Sequence, residues 1–91
     1  MNTTQDITDA QFFEMVDRYI SQANDFSKKF PQGQVSAALL FAASRYNAFN
    51  WVNRSQQQEQ TLDEATPLFC AEYEKMFLDN VHNMTMGRPP K

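Results

Sequence analysis

The 91-residue sequence contains few of the residues that break helices and few of those that bind metals. It has two glycines, four prolines, one cysteine and one histidine. So few turn-forming residues argue against a multi-stranded sheet with tight hairpins. The single cysteine, Cys70, cannot form an internal disulfide, and with His82 as the one histidine there is no zinc-type cluster. Stability is therefore expected to come from packing, and the sequence predicts no cofactor and no metal site.

No segment predicts export or membrane insertion. The sequence opens on polar and acidic residues, and no apolar run approaches the length that spans a bilayer. With 42% hydrophobic and 21% charged residues, a chain of this length is typical of one soluble domain with a thin core. We therefore predict a cytoplasmic protein that has no membrane partner.

Apolar periodicity predicts a first helix over residues 10–30. Large apolar side chains recur there at spacings of three and four, as on one face of an amphipathic helix. Thr8 and Gln11 are typical of a capping box at its start. Pro31 and Gly33 are expected to end it, because proline cannot continue the hydrogen-bond ladder and glycine accepts a left-handed turn.

A second helix is predicted over residues 34–57, and it is apolar on two sides. Thirteen of the eighteen residues from Val35 to Val52 are apolar, too many for one stripe. A helix of this kind needs two partners. On a helical wheel one face holds Val35, Ala38, Leu39, Ala42, Tyr46 and Phe49, and the other holds Ala37, Leu40, Phe41, Ala48, Trp51 and Val52.

A third helix is predicted over residues 61–85, with a capping box formed by Thr61 and Glu64. Pro67 leaves its start open, because the helix begins either at Leu62 or at Pro67 itself. Residues 87–91 are predicted to be a mobile tail. One apolar arc of this helix holds Leu62, Ala65, Phe69, Tyr73, Met76, Phe77, Val81 and Met84.

These patterns predict an all-α fold of three antiparallel helices in a small bundle, as a single domain over residues 1–86. Two neighbours in one chain cover one face of the second helix and leave the other partly open, and monomers rarely expose large apolar patches. We therefore predict a homodimer, the alternative being that both flanking helices wrap the middle one. The candidate interface is Leu40, Phe41, Trp51 and Val52.

Charge follows the same division into three parts. Residues 26–58 carry four bases and no acid, whereas residues 1–25 and 59–79 are acidic. With a second turn near residue 58, Arg45 and Glu72 lie level at the edges of their apolar faces. They are the candidate structural ion pair, which would specify alignment more than it adds stability.

Candidate catalytic chemistry is weak throughout. Asp79 and His82 have the spacing that di-iron bundles use, but they project away from the apolar arc and no second such motif exists. Cys70 lies roughly 18 Å along the same helix from His82, too far for a nucleophile and its base. We predict a small apolar core cysteine, and a protein that is not an enzyme.

Two further function classes remain as alternatives. A nucleic-acid-associated protein would use the basic middle segment, but four bases are sparse and the sequence pI is near 4.9, so nucleic acid is an improbable partner. An enzyme would need a site assembled across chains. We expect instead a module for oligomerisation or for interaction with another protein.

The middle helix resembles a known family. The run from Gly33 to Phe49, GQVSAALLFAASRYNAF, is similar to the signature stretch of the bacterial family catalogued as domain of unknown function 3144. Phe12-Phe13 upstream and Tyr73 with Met76 downstream resemble its flanking helices. The resemblance implies a bacterial origin and a helical fold, and it implies no reaction, ligand or site residue.

Overall fold

The computed structural model describes residues 6–54 and 60–86. It contains three α-helices, α1 (Asp9–Ser27), α2 (Gln32–Arg54) and α3 (Leu62–Thr85). These helices account for 87% of the described residues, which include no strand. The predicted all-α class with three helices is therefore confirmed. The predicted end of the second helix, at residue 57, and the predicted tail at 87–91 lie outside the described residues.

The start of α1 is closed by the predicted capping box. The backbone N–H of Gln11 donates to the Thr8 hydroxyl at 3.0 Å, and the Thr8 N–H donates to the Gln11 side-chain oxygen at 2.9 Å. The end of α1 comes three residues earlier than predicted. There the Lys28 N–H donates to the Asp25 carbonyl at 3.2 Å. This hydrogen bond joins residues three apart, as in a 3₁₀ turn, so the last turn is tighter than the α-helix before it.

The prediction that Gly33 ends the first helix is wrong. Gly33 lies in the first turn of α2, which begins at Gln32, and the Pro31 carbonyl accepts the N–H groups of Gln34 and Val35 at 3.0 and 3.1 Å. The tightened turn upstream has already ended α1, so no left-handed residue is needed. Pro31 stands just before α2, where its missing N–H removes no bond from the helix.

The start of α3 is at Leu62 and not at Pro67. Thr61 and Glu64 form the predicted capping box, and Pro67 lies inside the helix. Proline has no N–H, so it supplies no donor to the carbonyl four residues before it. The Thr66 hydroxyl also donates to the Leu62 carbonyl at 2.8 Å, a local bond that bends helices slightly and adds no stability to them.

The chain divides into two compact units, the first ending at Asn50 and the second beginning at Trp51. In the first unit, α1 and α2 form a helical hairpin joined by residues 28–31. Among its described residues only Val35 is buried, at 8% exposure, and the half-buried residues of α1 fall on one face. Those half-buried residues are Val16, Ala23 and Ser27.

The second unit contains the end of α2 and all of α3. Ala65 is the one buried residue of its described part, at 2% exposure, and Trp51 is half-buried. The prediction that Cys70 belongs to the core is wrong, because its side chain is exposed on α3. Cys70 lies near one edge of the apolar arc of this helix. The single domain predicted over residues 1–86 stays a prediction.

Candidate functional site

An apolar groove of about 470 Å³ lies between α1 and α2. Its lining combines small side chains with larger rings, aliphatic groups and amides, and both helices contribute to it. Because alanine reaches no further than its Cβ atom, facing alanines leave a channel that the neighbouring large side chains border. The α1–α2 groove is lined by Tyr19, Gln22, Ala23, Phe26, Phe30, Gln34, Val35, Ala38, Leu39 and Ala42.

The walls of the groove are open to solvent. Tyr19, Phe26, Phe30 and Leu39 are 65%, 47%, 54% and 38% exposed. The rings of Phe26 and Phe30 contact each other with centroids 6.4 Å apart and planes inclined at 48°. Concave apolar surfaces of this size are typical binding sites for ligands or for partner helices.

The lining offers no acid–base pair. Tyr19 is its one ionisable residue, and the two glutamines at Gln22 and Gln34 can donate and accept hydrogen bonds but do not titrate. The groove can therefore bind an apolar surface and orient it with two amides. It has no nucleophile placed beside a base.

The predicted interface residues lie on the second face of α2, away from the α1–α2 groove. Leu40 is 51%, Phe41 is 66% and Val52 is 62% exposed. Trp51 is half-buried, and its indole Nε1 atom is inaccessible to solvent with no hydrogen-bond acceptor in the described parts of the chain. Exposure at this face is what the prediction requires, and the association itself stays a prediction.

The predicted ion pair joins residues of different units, so each partner is described separately. Arg45 is exposed and has no ion-pair partner in the described part of the first unit. Glu72 is exposed on α3, where its charge contributes to raising the pKa of Lys75 on the same helix. The pairing of Arg45 with Glu72 remains a prediction.

Asp79 has a partner other than His82. Lys75 Nζ donates to Asp79 Oδ2 at 2.9 Å, and this hydrogen bond, followed by the attraction between the two charges, raises the pKa of Lys75. Asp79 and His82 are both exposed, as their wheel positions predict. Within residues 6–54 and 60–86 no three His, Cys, Asp or Glu side chains come together in a group that would hold a metal ion.

A second exposed apolar surface follows α3. Its members recur at spacings of three, four and one, and each is 43% to 57% exposed. The rings of Tyr73 and Phe77 stack, with centroids 6.0 Å apart and planes within 21°. The α3 stripe consists of Phe69, Tyr73, Met76, Phe77, Val81 and Met84.

Sequence reasoning found the two apolar faces of α2 but missed the α1–α2 groove. The available signal was size and not hydrophobicity, since Ala23, Ala38 and Ala42 are small residues among large ones on facing sides of a hairpin. A hydrophobic wheel counts alanine as apolar and does not register the space that it leaves.

None of the helices in the described part of the chain combines the length and the apolar character that a membrane span requires.

Comparison with known proteins identifies a family. The profile of the family described as "Protein of unknown function (DUF3144)" matches residues 12–84, which include all of α2 and most of α1 and α3. No curated protein and no solved structure matches the sequence. Since the matched segment covers most of the chain, this protein belongs to the DUF3144 family.

Proposed function

We propose that the protein is a non-enzymatic protein–protein interaction module that assembles as a homodimer in a bacterial cytoplasm. One observation carries the proposal. In the described residues, 24 large apolar side chains are exposed, whereas Val35 and Ala65 alone are buried. Surfaces of this kind on a folded chain mark interaction sites.

Burial of these exposed side chains would contribute a free energy that is large compared with the stability of a small domain. Full burial of one large apolar side chain contributes about 1.5–3 kcal/mol, so a half-exposed one forgoes about 1 kcal/mol. Covering about ten of them would contribute about 10 kcal/mol before the costs of association, which is comparable with the entire 5–15 kcal/mol of a typical domain. Association is therefore expected to stabilise the fold as well as the complex.

The absence of enzymatic activity is supported by the groove's chemistry. Its lining holds one ionisable residue, Tyr19, and Cys70 lies on α3 twelve residues from His82. The bacterial and cytoplasmic parts of the proposal rest on the implied origin of the family and on a sequence with a single cysteine.

Light scattering tests the proposal directly. We expect a mass of about 21 kDa at micromolar concentration, twice the 10.6 kDa of one chain. Because binding of a second copy stabilises the folded state, the urea midpoint should also rise with protein concentration. A mass of one chain, together with a midpoint that does not depend on concentration, would contradict the homodimer.

A further inference from the structure

We propose that the α1–α2 groove is the docking site for the α3 stripe of a second copy of the chain. This inference rests on the proposed homodimer, and it places the contact at the α1–α2 groove instead of at Leu40, Phe41, Trp51 and Val52, the interface that the sequence predicts. In a two-fold dimer each groove would receive the partner's α3, so the same contact forms twice.

The shapes of the two surfaces correspond. The groove follows α1 from Tyr19 to Phe30 and α2 from Gln34 to Ala42, which is a length of two to three helical turns. The α3 stripe repeats at helical spacing, as an amphipathic helix that binds in a groove does. Phe69, Tyr73 and Met76 would present large side chains to a floor of alanines. Each surface is exposed within its own unit.

The areas are large enough for a stable dimer. A fully buried aromatic side chain covers about 150–250 Å², so a half-exposed one has roughly 100 Å² left to bury. Because the groove is two to three turns long, it accommodates the four stripe residues from Phe69 to Phe77, and these with four large groove residues give roughly 800 Å² per chain, or roughly 1,600 Å² for both copies. Stable interfaces bury about 1,200–2,000 Å² in total, so these two surfaces alone suffice.

The charges are complementary. Between Tyr19 and Ala42, the ends of the lining, the chain carries Lys28, Lys29 and one acid, Asp25, which pairs with Lys28 at 3.5 Å, and Arg45 follows one turn later. Along α3 the acids outnumber the single lysine, and Glu72 flanks its apolar arc. The other acids of α1 precede the groove, so docking α3 of a second copy would bring an acidic helix beside a basic stretch of the hairpin, which favours this occupant and sets its alignment. The acids of α3 are Asp63, Glu64, Glu72, Glu74 and Asp79.

A pair of alanine substitutions on α2 tests the contact surface. Both alanines are exposed, but Ala42 lines the groove and Ala37 lies on the second face of α2, beside Leu40 and Phe41. We expect Ala42→Glu to weaken the dimer by about a hundredfold, because it places an unpaired charge in an apolar contact. Ala37→Glu makes the same chemical change outside the groove. It should leave the dissociation constant of the dimer within about threefold of the value for the unaltered protein, because substitutions away from a contact have small effects on it.

The outcomes separate this inference from the proposed function. If Ala37→Glu dissociates the dimer and Ala42→Glu does not, the groove is not the contact and the homodimer stands. If the unaltered protein is a monomer at all concentrations, both are overturned. Circular dichroism of each variant shows whether the helices still form.

Cys70 provides a test that leaves the groove unaltered. A spin label is attached to the exposed thiol of Cys70, on α3. These spin-labelled chains, without ¹⁵N, are mixed with ¹⁵N-labelled Cys70→Ser chains, which carry no spin label. Broadening of the amide signals of Ala23, Ala38 and Ala42 would then come from another copy, as the inference requires. A dimer in which these signals stay sharp overturns it.

The reverse labelling excludes the chain's own α3 as the occupant. Spin-labelled ¹⁵N chains are diluted into an excess of unlabelled Cys70→Ser chains, so that any broadening arises within one chain. We expect the amides of Ala38 and Ala42 to broaden less in this sample than in the mixed one. Broadening there equal to or stronger than in the mixed sample would show that α3 fills the groove of its own chain, which overturns the inference.

Discussion

At the start of α3, the side chains of Thr61 and Glu64 each accept a hydrogen bond from the backbone N–H of the other residue. The Glu64 N–H donates to the Thr61 hydroxyl at 3.2 Å, and the Thr61 N–H donates to a Glu64 carboxylate oxygen at 2.9 Å. Two of the N–H groups that a helix start leaves without partners are satisfied by this exchange. The pair fixes the start of α3 at Leu62 and leaves Pro67 within the helix.

Substitution of the two threonines near this start should distinguish the cap from the helix interior. Thr61→Ala removes the acceptor for the Glu64 N–H and should lower the free energy of unfolding by about 1 kcal/mol. Thr66→Ala is the matched control and should lose no stability, because alanine has the higher helix propensity. Urea titration measures both. A larger loss for Thr66→Ala would mean that the helix starts at Pro67 with Thr66 as its cap.

Trp51→Phe tests the inaccessible indole N–H that has no acceptor in the described chain. Leaving a buried donor without a partner costs about 1–3 kcal/mol, and phenylalanine keeps most of the apolar ring. The gain and the lost packing should nearly cancel, so we expect stability within about 1 kcal/mol of the unaltered protein. Trp51→Ala removes the ring as well and should cost more. A loss above about 2 kcal/mol for Trp51→Phe would reveal an acceptor for Nε1 in the assembled protein.

A double-mutant cycle with Arg45→Met and Glu72→Gln tests the predicted ion pair. We expect a coupling energy of roughly 1 kcal/mol or more, measured by urea titration of the four proteins at one concentration. The competing interpretation, in which Arg45 binds an anion, requires that Arg45→Met leave stability unchanged. A coupling energy near zero refutes the pair, whether it lies within one chain or between two copies.

Lys75 should titrate above its ordinary value in the folded protein. Its hydrogen bond to Asp79 raises the pKa, with added attraction from Asp79 and Glu72. Because the pKa is raised, the contribution of the charged Lys75 to the stability of the fold is fully present below the unfolded pKa of 10.5. It is lost as pH rises through the folded pKa. Nuclear magnetic resonance titration of the Lys75 ammonium measures it. Asp79→Asn should return the pKa toward 10.5, and an unchanged pKa would show that the 2.9 Å contact does not persist in solution.

The sequence by itself determined the helices and two of their starts. Apolar spacing predicted three helices, and the capping boxes at Thr8 and Thr61 were each predicted from two residues three positions apart. Such hydrogen bonds close within one turn, so they depend on neighbours in the sequence alone. The end of α1 was misplaced because a tightened last turn competed with the signals of Pro31 and Gly33.

Only the tertiary structure decided what each apolar face contacts. Cys70 and most large apolar side chains are exposed, and the α1–α2 groove exists because small residues on α1 and α2 face each other. Burial depends on which distant segments meet and on how much space their side chains leave, and helical periodicity gives only the direction in which each side chain points. Apolar spacing therefore predicts where the helices are and which faces are apolar, and the packing within each unit establishes which of those faces stay exposed.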